Sequence, residues 1–169
     1  MMRIIGIDPG SLVTGYGVLD TDGRRSTYVE SGCIRVKGEA LPERLGFIFR
    51  QVQEIIALHR PDTMAVEQVF VSRNPSSALK LGQARGAAIC AGVEGGLTVA
   101  EYTPRSIKQA VVGTGAAAKE QMQHMVTLIL ELQSTPATDA ADALAVALCH
   151  AHTHATLSRL PAGFARRGR

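Results

Sequence analysis

Residues 2–36 read MRIIGIDPGSLVTGYGVLDTDGRRSTYVESGCIRV. Residues 3–8 form a short apolar run that ends on Asp8. Residues 15–20 alternate weakly and give way to a turn at Asp22-Gly23, and residues 27–36 are rich in β-formers. Three such runs joined by so few residues predict an antiparallel meander, because only antiparallel strands can be connected by tight turns.

From there the pattern changes. Leu45, Ile48, Phe49, Val52, Ile55 and Ile56 recur at spacings of three and four, which is one helical stripe over 41–60, and Pro42 suits its first turn. Residues 63–69 read as a short strand carrying Glu67. Residues 75–93 read as a second helix, stopped by Gly95-Gly96, and 97–102 as a fifth strand. Thr103-Pro104 opens a short helix that stops near Gly113, and the last helices are predicted over 118–133 and 138–156. A meander followed by alternating strand and helix predicts the α/β class. The sheet is then mixed and five-stranded, a three-strand antiparallel meander plus parallel strands, with helices on both faces.

The chain has 169 residues, 46% hydrophobic and 20% charged, which fits one globular domain and excludes a mostly disordered chain. No run approaches the ~18–20 apolar residues of a membrane span. Ile4-Ile5-Gly6-Ile7 is too short for a secretory signal. Cys33, Cys90 and Cys149 lie far apart without a CxxC, so reduced thiols and a cytoplasmic location are expected. The domain is expected to span 1–157, with 158–169 a flexible basic tail.

The net charge is only +3, but it is unevenly spread. Between Gln68 and Lys119 the acids are Glu94 and Glu101, against Arg73, Lys80, Arg85, Arg105, Lys108 and Lys119. After Asp142 there are no acids, while Arg159, Arg166, Arg167 and Arg169 follow. Such local excess suits either a solvated basic face or a polyanion-binding surface.

Four carboxylates stand out against that background. Asp8 ends the first strand before Pro9-Gly10, Glu67 closes the apolar run Met64-Ala65-Val66, and Asp139 and Asp142 share one helical face among alanines. Singly, each has a structural use: a turn cap for Asp8, a solvent-facing edge position for Glu67, a helix N-terminus for Asp139. Together they form the all-oxygen, strongly negative donor set that a hard divalent cation takes. Paired Mg²⁺ ions can activate water and stabilise the leaving oxygen of a phosphodiester, and basic residues nearby would hold the flanking phosphates.

The runs Gly6-Ile7-Asp8-Pro9-Gly10-Ser11, Thr14-Gly15-Tyr16-Gly17, Glu67-Gln68-Val69-Phe70, Ser77-Ala78-Leu79-Lys80-Leu81-Gly82-Gln83-Ala84-Arg85-Gly86 and Asp139-Ala140-Ala141-Asp142-Ala143-Leu144 resemble RuvC, the family of bacterial Holliday junction endonucleases. The likeness covers residues 2–154. It implies an RNase H-like fold, a homodimer, and Mg²⁺, with Mn²⁺ able to substitute, as cofactor. It also implies symmetric nicking of two opposing strands of a four-way junction, leaving 5′-phosphate and 3′-hydroxyl ends, in a pathway shared with the RuvA–RuvB branch-migration complex. By the resemblance Asp8, Glu67, Asp139 and Asp142 are the catalytic metal-binding acids. Phe70 would stack near the junction centre, and Lys108 and Lys119 would contact DNA. Arg73, Lys80 and Arg85 of the basic span are further candidate DNA contacts.

Other signals give less. Gly113-Thr-Gly115-Ala-Ala-Ala118 does not follow a strand, and no Walker A sequence is present, so no nucleotide cofactor is expected. His150 and His154 share a helix face, but they and His152 do not by themselves make a metal-ligand set. The second helix is rich in small residues, which suits either close packing on its own sheet or, as the resemblance to a dimeric family favours, a close helix–helix contact across a two-fold axis with Ala88 on the contacting face. A two-lobed phosphotransferase of the sugar-kinase type also pairs an Asp with glycines, but 169 residues do not supply two lobes. A silent DNA-binding module would explain the basic span and not four acids that repel phosphate.

Overall fold

A computed structural model describes residues 1–69 and 74–159. Strands β1 (Met2–Asp8), β2 (Val13–Thr21) and β3 (Ser26–Arg35) form the expected meander. Helix α1 (Leu41–His59) returns the chain to β4 (Thr63–Glu67), which runs parallel to β1. Helix α2 (Pro75–Glu94) leads to β5 (Thr98–Tyr102), parallel to β4. Helices α3 (Pro104–Val112), α4 (Lys119–Ile129) and α5 (Thr138–Ser158) complete the chain. The strand order is β3-β2-β1-β4-β5, with α1 and α2 packed on one face and α3, α4 and α5 on the other. This is the RNase H-like arrangement.

Two boundaries differ from the sequence reading. Helix α4 ends at Ile129 rather than near 133, because Glu131 turns left-handed (φ 52°) and the Leu132 N–H returns to the Thr127 carbonyl at 2.9 Å. Helix α5 runs to Ser158, one residue into the segment read as tail. Residues 160–169 lie outside the described residues.

Strand alternation sorts the core. Ile5, Ile7 and Val18 face α1 and α2, while Ile4 and Leu19 face α5. Next to Ile4 and Leu19 on the α5 side the strands carry glycine. A Cβ at Gly6 would fall 2.1 Å from the Ala143 carbonyl oxygen, and one at Gly15 would fall 1.9 Å from that of Asp139. Helix α5 answers with Ala140, Ala141, Ala143, Ala145 and Ala147, all buried. Small residues on both partners bring the helix backbone down onto the strands, and any side chain at Gly6 or Gly15 would lift it off.

Helix α2 divides its small residues between two faces. Ala84, Ala88, Ala91 and Gly92 are buried against the sheet. Ala88, expected on a contacting surface, is therefore a core residue. The outward face carries Leu79, Gly82, Gly86, Cys90 and Val93. Leu79 and Val93 are 68% and 60% exposed, and among the described residues Cβ positions at Gly82 and Gly86 meet nothing within 4 Å.

Candidate active site

Asp8 shares the strand parity of Ile4 and Gly6, so its side chain points to the α5 face, and Glu67 shares that of Ala65 and points the same way. The parallel register pairs Ile7 with Val66, which leaves Asp8 and Glu67 side by side at the carboxyl ends of adjacent strands. Asp139 and Asp142 project from the first turns of α5, whose start rests on Gly15, the antiparallel partner of Asp8. The close seating of α5 on glycine is thus what carries two aspartates to the ends of β1 and β4.

Asp8, Glu67 and Asp142 line a cleft of about 280 Å³. Its other walls are Pro104, Ile107 and Lys108 of α3, Lys119 and Met122 of α4, and Ala145. Asp139 flanks the cleft near enough to act on Asp8 electrostatically. Lys119 Nζ lies 3.6 Å from Asp142 Oδ2. The residues before Lys119 are anchored by Ala117, which is 2% exposed and part of the core, so Lys119 is held over the acids. Ile107, Met122 and Ala117 did not stand out in the sequence. Their only signal was helical or loop apolarity, which any core residue shares.

The acids are not at ease together. Burial, then the charge of Glu67, push the Asp8 carboxyl up to about 8, with Asp142 and Asp139 adding to the shift. Asp8 is hydrogen-bonded to Glu67. Glu67 is raised too: burial outweighs that hydrogen bond, Asp142 adds to the rise, and Lys119 and Lys108 oppose it. Burial also raises Asp142 against the pull of Lys119. Both carboxyls of the hydrogen-bonded Asp8–Glu67 pair are thus pushed toward the protonated form by burial and mutual charge. Among the described residues no three carboxylate, imidazole or thiolate groups already converge into a cation cage. The donor set nevertheless fits a hard divalent cation: it is all oxygen, and it carries buried negative charge that Lys108 and Lys119 partly offset.

This shift predicts a stability gain on neutralising Asp8. An acid whose folded pKa is raised stabilises the fold at low pH and loses that contribution as pH rises through about 8. Without divalent cations, Asp8→Asn is therefore expected to melt above the parent at pH 9, by roughly 4–8 °C for a gain of about 2 kcal/mol. The difference should vanish below about pH 3, under the ordinary aspartate value of 3.8, where Asp8 is protonated in both states. Scanning calorimetry across that range checks it, and a mutant that melts lower at pH 9 would refute it.

The remaining candidates lie elsewhere. Lys80, on the first half of α2, is exposed beside Ser11 and Arg44. Arg85 is only 23% exposed and its guanidinium pairs with Glu101 of β5. Phe70 and Arg73 lie outside the described residues. His150 accepts or donates at Nδ1 to the Tyr102 hydroxyl at 2.8 Å, and His152 faces the Ala110 carbonyl at 3.1 Å. Each of these two histidines is thus engaged in packing between α5 and its neighbours. Among the described residues no helix is long and apolar enough to cross a membrane.

Comparison with known proteins agrees with this geometry. Residues 4–150 match the family model described as crossover junction endodeoxyribonuclease RuvC. The crossover junction endodeoxyribonuclease RuvC of Pseudoalteromonas atlantica is 59% identical over 160 residues, covering 95% of this chain and 92% of the relative. That of Photobacterium profundum is 58% identical over 171 residues, covering 100% and 99%. The structure of Thermus thermophilus RuvC in complex with a Holliday junction substrate superposes with a TM-score of 0.87 at 37% identity, covering 94% of this chain and 98% of that one. With its acids gathered at the strand ends and its whole length shared with these relatives, the chain belongs to the RuvC family of crossover junction endodeoxyribonucleases.

Proposed function

We propose that this chain is a Holliday junction resolvase that nicks two opposing strands symmetrically with Mg²⁺, leaving 5′-phosphate and 3′-hydroxyl ends, and that Mn²⁺ can substitute. The observation that carries this reading is the gathering of Asp8, Glu67 and Asp142 in one cleft walled by Lys108 and Lys119, with Asp139 beside it. These four acids would hold the cations. When bound, a pair of them would activate the attacking water and stabilise the leaving oxygen. The Asp8–Glu67 pair would have to be deprotonated to hold a cation, so cation affinity would rise with pH. Ile107 and Met122 keep one wall of the cleft apolar and limit the water that competes for the cations. Lys108 and Lys119 hold phosphates on either side of the scissile bond, and Lys80 extends the basic track along α2. Phe70, just after the Glu67 strand, is assigned to the junction centre as a stacking wedge, and Arg73 to a DNA contact nearby in sequence. Arg85 is less available for DNA, since Glu101 already holds its guanidinium.

Two identical cuts require two identical sites, so the acting species is a homodimer. The open face of α2 suits the contact: a groove of about 590 Å³ lined by Val69, Pro75, Ala78, Leu79, Gly82, Gln83 and Arg85 runs along it. RuvA–RuvB is the partner machinery in this reading.

The test is cleavage of a synthetic four-way junction. Paired nicks that need Mg²⁺ or Mn²⁺, stop with chelator and are not seen on linear duplex support the reading; cation-independent or structure-blind cutting overturns it. The lysines make a separate prediction. Each phosphate contact adds about 0.9 to the slope of log K against log salt. In the homodimer, Lys108→Ala with Lys119→Ala removes four such contacts and is therefore expected to flatten the slope for junction binding by about 3.6. Fluorescence anisotropy over a salt series measures this, and an unchanged slope would put the DNA path elsewhere.

A further inference from the structure

The chain between β1 and β2 turns so tightly that a Cβ at Gly10 would lie 1.8 Å from the Val13 carbonyl oxygen. One side chain closes this turn. Thr14 is fully buried, and its Oγ1 accepts the Gly10 N–H at 3.2 Å and donates to the Gly10 carbonyl at 3.0 Å. A hydroxyl can do both at once, and no apolar side chain can do either. On its outer side the turn is tied to α1 by Arg44, which donates to the Ser11 carbonyl.

The place of this staple matters more than its strength. Asp8 lies just before the turn and Gly15 just after Thr14; the two are partners in the β1–β2 ladder. Gly15 is also the residue against which the Asp139 backbone is seated. Thr14 therefore sits at the joint between the strand that carries Asp8 and the surface that carries the start of α5. Neither Thr14 nor Gly10 belongs to the cleft lining. We propose that Thr14 is a positioning residue, whose hydroxyl fixes the 9–13 turn and so sets Asp8 against Asp139 for cation binding.

The proposal rests on the metal-dependent reading above. Groups that orient a ligand without touching the cation typically change affinity by roughly 10–100-fold when removed. Thr14→Val keeps the shape and deletes both hydrogen bonds, Thr14→Ala deletes them without filling the space, and Thr14→Ser keeps the hydroxyl. Cation binding can be read without any DNA, from the loss of free Mn²⁺ signal in electron paramagnetic resonance. Thr14→Val and Thr14→Ala should each raise the Mn²⁺ midpoint by about tenfold or more, with Thr14→Ser within about twofold of the parent. Melting temperatures taken without metal separate a merely structural role. A hydroxyl-free variant that melts lower yet binds Mn²⁺ like the parent overturns the proposal, as does a Thr14→Ser variant as impaired as Thr14→Val. If Thr14→Val does not fold, Thr14→Ala carries the test, and Thr14→Ser still reads whether the hydroxyl suffices. A parent chain that takes up no Mn²⁺ would instead refute the metal-dependent reading itself.

Discussion

Glu67→Gln is expected to slow junction nicking by about 10³-fold while the protein remains folded and still binds the junction. The substitution keeps the shape and removes one charge from a site whose negative charge is the attraction for the cation. A loss of about 4 kcal/mol in transition-state stabilisation corresponds to that rate. Stability should not suffer. Glu67 is raised above its usual range by burial and by Asp142, so its ionised form costs the fold rather than supporting it. Junction affinity in the absence of divalent cations should hold or improve, since a carboxylate facing phosphates is gone. Single-turnover cleavage, anisotropy and calorimetry on one preparation separate the three effects. Full activity in Glu67→Gln would sink the assignment of the site.

Gly86→Glu should convert the protein to a monomer that nicks singly, with paired cutting reduced at least about tenfold. Gly86 lies on the open face of α2 in line with Leu79, Gly82, Cys90 and Val93, and a Cβ there meets nothing within 4 Å among the described residues. Replacing a helical glycine raises helix propensity by roughly 0.5–1 kcal/mol, so the monomer should not be destabilised. A glutamate on that face would place two buried charges, one from each protomer, in an isologous contact through α2. Sedimentation gives the oligomeric state, and a cruciform plasmid distinguishes linear product, from two cuts, from nicked circle, from one. A Gly86→Glu protein that stays dimeric and cuts in pairs would place the interface on another surface. Ala88, with its side chain against the sheet, offers no such test.

The order of the elements was legible because it depends on neighbours in the chain. Asp22-Gly23 sets a turn, the stripe from Leu45 to Ile56 sets a helix, and Gly113 ends one with a left-handed residue (φ 85°). The four acids were legible as well, since a carboxylate after an apolar strand or among alanines has few structural uses. The candidate donor groups were therefore in the sequence. Their meeting was not. Asp8 and Glu67 reach one cleft only because β1 and β4 pair in a register that gives both the parity of the α5 face, and a one-residue slip would turn either away. Asp139 and Asp142 arrive because Gly6 and Gly15 let α5 settle onto the strands, a fit between residues more than a hundred positions apart. The same holds for the surface. The sequence counted Arg85 as free positive charge and Ala88 as outward, but packing paired Arg85 with Glu101 and turned Ala88 inward. Local spacing determines which elements form and which chemical groups they carry; which face each group meets is decided by pairing register and close packing between distant segments, and only the tertiary structure contains those.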